Sequence, residues 1–411
     1  MKRGELEGRL LVLVTLGLTA FGLVMVYSAT SAAAAVGGRD PSYFLKRQGI
    51  YAAIGLGLLV FASRQDYRKL RQLAPTLMVG SLFLLVVVLG IGQSINGARR
   101  WIGFGPAAFQ PSELAKLALA VWAAAYLSKH RAPRTLKELL RPIGAMAGLC
   151  CLLVLAEPDL GTAIAIVIML AGVLLVSGAP VRLLASAGGI AATVGLLAIW
   201  IEPYRRARVL SFLDPWGDSQ GAGFQTVQAM IGLGSGGWFG VGLGQGVQKI
   251  FYLPEAHTDM IFAIIGEELG LVGSALVMAG YAAFAYAGLR VALTCRDPFG
   301  KRLATAITVL VCGQAALNLA AVMSLAPLTG IPLPFVSYGG SSLIVGLASV
   351  GVLLNIAGGH GAAARAKVPD RSRRNGRARP ARARSGGSAA GARRAGELRR
   401  VAGSGRSAAR P

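Results

Sequence analysis

The residues best suited to chemistry lie between positions 251 and 270, where carboxylates stand at the start of a long apolar segment. Asp259 ends the run Tyr-Leu-Pro-Glu-Ala-His-Thr-Asp, and the segment after it is apolar enough to enter a membrane up to about Leu289. A helix of that extent would be about 46 Å long, whereas the hydrocarbon core of a bilayer is about 30 Å thick. The surplus turns carry Asp259, Glu267 and Glu268, and we expect them to lie in protein or water.

Two interpretations of Asp259 are open at the level of these residues. Thr258 or Asp259 can cap the helix, in which case the carboxylate only stabilises the helix end. The helix dipole is expected to hold the pKa of Asp259 low, so that catalysis by it would persist well below neutral pH. Alternatively, the carboxylate lies at the mouth of a membrane cavity and acts on a molecule carried by a lipid. Ionisable groups at membrane depth are costly and usually functional, which supports the second interpretation.

The elements that position these residues are predicted to be membrane-spanning helices. The chain is 54% hydrophobic and 15% charged, which excludes an ordinary soluble domain. We expect an all-α integral membrane protein with ten transmembrane helices and a large extracytoplasmic loop between helices 7 and 8. The first helix begins near Leu10 and is too long for the apolar part of a cleaved signal peptide. The other nine are expected near residues 47–63, 73–91, 110–128, 142–156, 160–177, 183–201, 260–289, 303–325 and 339–357.

Charge divides the chain into a membrane domain, residues 1–360, and a basic tail, residues 361–411. The tail holds 15 Arg and Lys against two acidic residues, and its composition predicts disorder. With the N-terminus in the cytoplasm, 17 basic residues of the membrane domain lie inside and nine outside, as the positive-inside rule requires. Both termini are then cytoplasmic, and the tail is predicted to contact anionic lipid. Nucleic-acid binding has neither an aromatic nor a motif to support it.

The segments that look least like plain membrane helix all fall on the outer face under this topology. Three predicted helices, the fourth, eighth and tenth, begin there, and helix N-termini favour phosphates. Glu113 and Lys116 are spaced to pair on one face of a helix, so a structural pair and a direct substrate contact are both open. The arginines can equally contact lipid head groups at the interface. A lipid phosphate or pyrophosphate is the expected ligand of the basic residues and helix ends. The candidate substrate-binding residues are Arg100, Glu113, Lys116, Arg205, Arg208, Lys249, His257, Ser337, Gly339 and Ser341.

Two other kinds of site find no support in the sequence. The four cysteines fall in or beside apolar spans without metal-like spacing, and the three histidines are far apart, so neither a disulfide framework nor a histidine metal cluster is expected. The glycine-rich run at residues 232–237 matches a dinucleotide fingerprint but lacks the strand, turn and helix that the fingerprint requires.

The motifs together resemble the SEDS family, the shape, elongation, division and sporulation proteins of bacteria. The resemblance covers about residues 10–357, with the motifs in the family's order, and the glycine-rich residues 240–249 resemble the division member more than the elongation member. One departure is Glu157, where Gln is common in the family. The motifs are Asn-Gly-Ala-Arg-Arg-Trp-Ile at 96–102, Gln-Pro-Ser-Glu-Leu at 110–114, Pro-Asp-Leu-Gly-Thr at 158–162, Tyr-Leu-Pro-Glu-Ala-His-Thr-Asp at 252–259, Ile-Ile-Gly-Glu-Glu-Leu-Gly at 264–270 and Pro-Phe-Val-Ser-Tyr-Gly-Gly-Ser-Ser at 334–342.

The resemblance implies a ten-helix glycosyltransferase of the bacterial inner membrane, acting at the division septum. Such proteins polymerise lipid II, the undecaprenyl pyrophosphate-linked precursor of peptidoglycan, on the outer face of the membrane. Their implied partners are a class B penicillin-binding protein, which cross-links the strands, and other membrane proteins of the division complex. The family's essential aspartate corresponds to Asp259. No cofactor is implied with certainty, and a divalent cation such as Mg²⁺ is left open.

Two rival functions use the same features. A flippase or transporter of lipid-linked sugars needs access from both faces, and no comparable set of polar motifs falls on the cytoplasmic side. A non-catalytic scaffold of the division complex would explain a partner surface but gives no reason for a carboxylate at Asp259.

Overall fold

The computed structural model describes residues 4–38, 40–95, 98–104, 107–201, 203–250 and 252–359. The predicted basic tail, residues 361–411, lies outside them, so its disorder and lipid contacts stay predictions. The described residues form thirteen α-helices and three short strands, with one π-helical turn at Leu140–Gly144. The helices are α1 Glu5–Val36, α2 Tyr43–Arg64, α3 Arg68–Ile91, α4 Pro111–Lys129, α5 Leu136–Leu139, α6 Ala145–Ala156, α7 Leu160–Val176, α8 Val181–Ile201, α9 Pro203–Leu213, α10 Phe224–Ser235, α11 Ile261–Thr294, α12 Pro298–Val322 and α13 Gly340–Gly358.

Eight helical segments among the described residues are long and apolar enough to cross a membrane. They are α1, α2, α3, the stretch from α5 to α6, α8, α11, α12 and α13. The prediction of a helical membrane protein is therefore confirmed. Two further predicted spans coincide with α4, which has 19 residues, and with α7, an apolar helix of 17 residues.

A small sheet corrects the expectation of an all-α chain. Strands β1 Gln93–Ile95, β2 Ala98–Phe104 and β3 Ala107–Phe109 form an antiparallel sheet in that order between α3 and α4. The first two strands are in register with Ile95 paired to Ala98. Strands this short are not detected as apolar runs. The sequence therefore indicated only that this segment does not resemble a membrane helix.

The helices pack around two apolar cores. The larger core joins α1, α2, α11, α12 and α13, and the smaller one joins α3, α4, α6 and α7. Trp122 of α4 packs against both cores, so α4 links them. Large apolar side chains remain exposed on the outer surface of the bundle, as expected for helices that face lipid.

Helix α11 is 34 residues long and bends at Gly270, whose φ of 65° and ψ of −160° are open only to glycine. The surplus turns before this bend carry Glu267 and Glu268, and both glutamates are buried in protein. Segments of the preceding loop pack directly against the bend, because a Cβ at Gly270 would lie 2.4 Å from the Gly240 nitrogen. The first turns of α11 therefore stand inside a protein shell, as the length argument predicted.

The glycine-rich run at 232–237 lies in the last turn of α10 and the turn after it. A Cβ at Gly236 would lie 1.9 Å from the Gly266 carbonyl oxygen of α11, so glycine is required for close packing of two helices. The local structure is helical, not strand–turn–helix, which confirms that the fingerprint match is accidental.

Candidate functional site

Asp259 lies directly before α11 at the end of the long loop, half-buried. Its backbone carbonyl accepts a hydrogen bond of 2.7 Å from Asn318 Nδ2 of α12, which also donates to the Ile331 carbonyl at 2.8 Å. One amide thereby holds both the Asp259 loop and the segment that leads to α13. Helix α12 therefore holds the backbone at Asp259 in place.

Asp259 does not cap α11. The residue at the N-cap position is Met260, which makes no side-chain capping bond, and the Thr258 hydroxyl donates within its own loop. The capping interpretation of Thr258 and Asp259 is therefore wrong. Desolvation raises the pKa of the Asp259 carboxyl to about 6, although the nearby charge of Arg208 opposes this shift. The expected lowering of the pKa by the helix dipole does not dominate, because the surrounding protein desolvates the carboxyl and the helix begins beyond it.

Arg208 of α9 faces the same small space as Asp259. A Cβ at Gly330 would lie 3.9 Å from Asp259 Oδ2 and 4.0 Å from Arg208 Nη1. Gly330 has a φ of 70°, and Arg208 Nη1 donates to the Leu328 carbonyl at 3.4 Å. The segment 328–331 therefore runs past both charged groups, and its glycine leaves room beside them. Of the predicted phosphate contacts, Arg208 lies beside the predicted base.

His257 and the start of α13 form one wall of this region. The Tyr338 nitrogen donates to the His257 carbonyl at 2.9 Å, and the rings of His257, Phe44 and Tyr338 pack against one another. Burial lowers the pKa of His257, so its ring is neutral at pH 7. Within the structure, His257 acts as a packed ring, and its contact with substrate stays a prediction.

Ser337 and Gly339 have structural partners at the same place. The Ser337 hydroxyl accepts from the Leu333 nitrogen at 2.8 Å, and Gly339 occupies the N-cap position of α13. Gln48 of α2 binds both residues, donating to the Ser337 carbonyl at 3.0 Å and accepting from the Gly339 nitrogen at 3.4 Å. The loop before α13 is thus held in shape by α2.

Ser341 joins the starts of two helices. Its hydroxyl accepts from the Gln110 nitrogen at 3.0 Å and donates to the Ala108 carbonyl at 3.3 Å. The start of α13 therefore touches the start of α4 on one side and the His257 loop before α11 on the other. The three helix N-termini that the sequence placed on one face do meet at one end of the bundle.

Glu113 and Lys116 form a buried ion pair on α4, with 2.8 Å between Lys116 Nζ and Glu113 Oε1. The pairing inferred from their spacing is confirmed. Glu113 also lines a narrow cleft among α4, α12 and α13, whose other walls are mostly apolar. Both interpretations of the pair survive, because a carboxylate at a cleft can support the fold and contact substrate.

Arg100 holds the turn between α6 and α7. Its guanidinium donates to the carbonyls of Glu157, at 2.8 Å, and Pro158. The Glu157 carboxylate beside it is fully buried, and neither oxygen has a hydrogen-bond partner among the described residues. Desolvation and the charge of Asp159 raise the pKa of Glu157 to about 8, so it is mostly protonated at pH 7. Substrate binding by Arg100 stays a prediction.

Lys249 is fully buried and forms an ion pair of 2.6 Å with Glu268. Ser28 of α1 completes the cluster, donating to the Glu268 carboxylate at 2.6 Å and accepting from Lys249 Nζ at 3.2 Å. These contacts account for the burial of Lys249 by themselves. They tie α1, the long loop and α11 together, and a contact with a lipid phosphate stays a prediction.

Arg205 lies in α9, but its side chain is outside the part of the structure that can be described, so its predicted role is untested. Within the described ranges, no three His, Cys, Asp or Glu side chains are grouped so that they could hold a metal ion. A requirement for Mg²⁺ therefore stays a prediction, with no ligand set among these residues to support it.

Gln48, Asn318 and Gly330 are the residues near the site that the sequence did not single out. The two amides are polar side chains inside apolar spans, which was a usable signal. Gly330 carried no signal, because a glycine in a loop between two apolar helices is unremarkable until its neighbours are known. Asn318 holds the backbone at Asp259, Gln48 holds the loop before α13, and Gly330 leaves room beside Asp259 and Arg208, so their roles are recognisable only in three dimensions.

The fold and the site define a polytopic helical membrane protein whose polar motifs converge at one end of the bundle around Asp259. The chain belongs to the FtsW/RodA/SpoVE family, described as cell cycle protein, whose family model matches residues 8–360. This agrees with the SEDS resemblance of the motifs.

Named relatives are similar over nearly their whole length. The probable peptidoglycan glycosyltransferase FtsW of Geobacter sulfurreducens is 43% identical over 359 residues, which are 87% of this chain and 96% of the relative. The stage V sporulation protein E of Bacillus subtilis is 42% identical over 352 residues, which are 84% of this chain and 96% of the relative.

Two solved structures share the fold. A chain from a study of the coordination of polymerization and crosslinking by a peptidoglycan synthase complex has a TM-score of 0.72 and 31% identity, covering 85% of this chain and 97% of that chain. The rod shape determining protein RodA of Thermus thermophilus has a TM-score of 0.62 and 30% identity, covering 84% of this chain and 95% of that chain.

Proposed function

We propose that the protein is a peptidoglycan glycosyltransferase that polymerises lipid II into glycan strands. The observation that carries the proposal is the half-buried Asp259 carboxylate, which does not cap α11 and lies beside Arg208. The chain that contains it is similar to named glycosyltransferases. The growing glycan is transferred from undecaprenyl pyrophosphate to the 4-hydroxyl of the acceptor sugar.

Asp259 acts as the general base in the proposed reaction. A pKa of about 6 leaves the carboxylate ionised at neutral pH yet basic enough to accept a proton in the transition state. The 4-hydroxyl of the acceptor gives its proton to Asp259, and its oxygen attacks the anomeric carbon of the donor. The bond from that carbon to the pyrophosphate oxygen breaks, and undecaprenyl pyrophosphate leaves with the electron pair. Attack opposite an α-linked pyrophosphate gives a β-linkage, and the leaving group needs no proton.

Arg208 stabilises the charge that develops on the departing pyrophosphate. A cation fixed near the reacting atoms lowers the barrier because its position requires no reorganisation during the reaction. The N-termini of α4, α11 and α13 lie at the same end of the bundle, where their helix dipoles favour an anion. Arg100, Arg205, Lys249, His257, Ser337, Gly339 and Ser341, with Glu113 and Lys116, are proposed to shape or contact the lipid II sites around this centre.

The proposed topology has ten membrane spans, both termini in the cytoplasm and the long loop between the seventh and eighth spans outside. Support comes from α4 and α7, whose 19 and 17 residues match two predicted spans. A 17-residue helix is about 26 Å long, which a bilayer accommodates by thinning or by its flanking residues. The excess of basic residues on the proposed inner side supports the orientation.

The proposed partner is a class B penicillin-binding protein, which cross-links the strands that this protein makes. Support comes from the similar chain in the work on a peptidoglycan synthase complex. Other membrane proteins of the division complex are proposed as further partners, and the division septum of the inner membrane as the location. The relatives named FtsW support the division role.

Incubating the purified protein and its partner with lipid II tests the function. We expect glycan strands that a muramidase digests, made without added nucleotide. A flippase would instead move labelled lipid II across vesicle membranes and leave it unpolymerised, and a scaffold would do neither. Absence of strands under conditions in which the partner cross-links added glycan would overturn the proposal.

A further inference from the structure

A cavity of about 380 Å³ lies at the end of the bundle opposite Asp259. Its volume is within the range of about 300 to 1,000 Å³ that is typical of small-molecule sites. It is formed where α3 begins, α4 ends and α12 begins. The residues that line it are Arg68, Arg71, Gln72, Lys129, Asp297 and Phe299.

The cavity is cationic. It contains three basic side chains and one acidic one, and the carboxylate of Asp297 is already engaged by the Tyr67 hydroxyl at 2.9 Å and by the Gly300 nitrogen at 3.2 Å. Among the described residues, the side chains of Arg71 and Lys129 make no hydrogen bond or ion pair. Two cations with unused donors therefore face one cavity that is open to its surroundings, which suits a phosphate group.

An apolar stripe continues from the cavity along α3. Arg68 and Gln72 lie on one face of this helix, and spacing of three or four residues places Val79, Phe83 and Val86 on the same face. The exposed fractions of these three side chains are 68%, 66% and 55%. A ligand with a phosphate in the cavity and an apolar tail along the helix would match both features.

We propose that this cavity binds the phosphate of an anionic phospholipid head group, with the acyl chains lying along the exposed stripe of α3. The stripe distinguishes this occupant from a free phosphate, which would use the cavity alone. The membrane leaflet follows from the proposed topology, in which the starts of α3 and α12 are cytoplasmic, where anionic lipids are abundant.

Photolabelling of the purified full-length protein tests the proposal. The probes are phosphatidylglycerol and phosphatidylcholine that carry the same diazirine acyl chain, and the labelled peptides are identified by mass spectrometry. In the wild type we expect the phosphatidylglycerol probe to label residues 76–86 in preference to the phosphatidylcholine probe. Equal labelling by the two probes would overturn the proposal, and this comparison needs no variant that might fail to fold.

A triple variant adds a second arm. Arg68→Gln with Arg71→Gln and Lys129→Gln removes the three cations, and the matched control Arg64→Gln with Lys137→Gln and Arg182→Gln removes three exposed cations that do not line the cavity. We expect about 100-fold weaker labelling of the α3 stripe in the first variant, if each cation contributes about fivefold, and little change in the control. Unchanged labelling in the first variant would contradict the proposal.

Competition separates the two sources of phosphate. Excess inorganic phosphate should leave labelling of the stripe almost unchanged if a phospholipid is the occupant, because the acyl chains contribute to binding. Full displacement by inorganic phosphate would overturn the lipid assignment in favour of a free anion. The labelling does not depend on polymerisation, so failure here leaves the proposed glycosyltransferase untouched, and a failure of polymerisation leaves this site untouched.

Discussion

Asp259 shows that a sequence can locate a candidate functional residue without predicting its pKa. Its place at the start of an apolar helix marked it as a functional residue. The prediction of a low pKa assumed that the helix began at Asp259 and that its dipole dominated. The helix begins after Met260, and desolvation instead raises the pKa of Asp259 to about 6. The surroundings of Asp259 include Arg208, Asn318 and Gly330, which are distant from it in sequence.

The raised pKa predicts the pH dependence of activity. A general base must be ionised, so polymerisation should rise with pH through about 6 and level off above about 7. Initial rates of strand formation between pH 5 and 8, at saturating lipid II, measure this rise of activity with pH. Full activity well below pH 5 would contradict the assigned pKa.

The raised pKa of Asp259 also makes the folded state less stable as the pH rises. The carboxyl ionises near 3.8 when unfolded and near 6 when folded, so a rise in pH through this window favours the unfolded state. Above about pH 6 the destabilisation is fully present. Asp259→Asn should therefore match or exceed the wild type in thermal stability at pH 7.5.

Glu113 and Lys116 should behave as one unit. Removing one partner strands a buried charge and costs about 3 to 5 kcal/mol, so Lys116→Met should reduce the folded yield or the unfolding temperature. The double variant Glu113→Gln with Lys116→Met should lose less than the sum of the single changes. Thermal unfolding in one detergent measures all four proteins. Strict additivity would argue against the pair.

At the scale of elements, helices were predictable and their irregularities were not. Apolar runs of membrane length mark spanning helices, because a helix satisfies all its backbone hydrogen bonds internally. The bend in α11 and the sheet of β1, β2 and β3 depend on contacts with other segments. Gly270 is one case, since its conformation is explained by the loop residues that pack against it.

Replacing Gly270 tests the bend. A Cβ at this position would meet the Gly240 nitrogen and the Trp238 backbone, and the backbone conformation is itself strained for other residues. Gly270→Ala should cost about 1 to 3 kcal/mol of stability. Gly80→Ala is the matched control, because that helical glycine has nothing within 4 Å of an added Cβ and alanine favours helices. Equal unfolding temperatures for the two variants would show that the bend imposes no such requirement.

At the scale of the whole molecule, the sequence predicted that the polar motifs share one face, and the structure brings them together. Topology made this possible, since helices that alternate in direction return every second loop to the same side. The arrangement within that face was not predictable. Lys249, for example, was expected near the lipid phosphate and is paired with Glu268 beneath the loop.

The basic tail should be dispensable for polymerisation. Residues 361–411 are rich in Arg but have no apolar face with which to build part of a site. Truncation after Ala364 should leave strand synthesis in detergent near normal, while binding to vesicles that contain anionic lipid weakens. Loss of all synthesis in detergent would show that the tail takes part in the reaction.

The most direct test of the central claim is the rate of glycan synthesis from lipid II by Asp259→Asn, beside the control Asp214→Asn, which changes an exposed aspartate of the same loop. Asparagine keeps the size of Asp259 but cannot accept the proton. We predict that Asp259→Asn keeps its folded yield and its partner complex while synthesis falls about 10²- to 10⁴-fold, the usual contribution of a positioned general base. The control should stay near the wild-type rate. An Asp259→Asn enzyme as active as the control would contradict the assignment of Asp259 as the catalytic base.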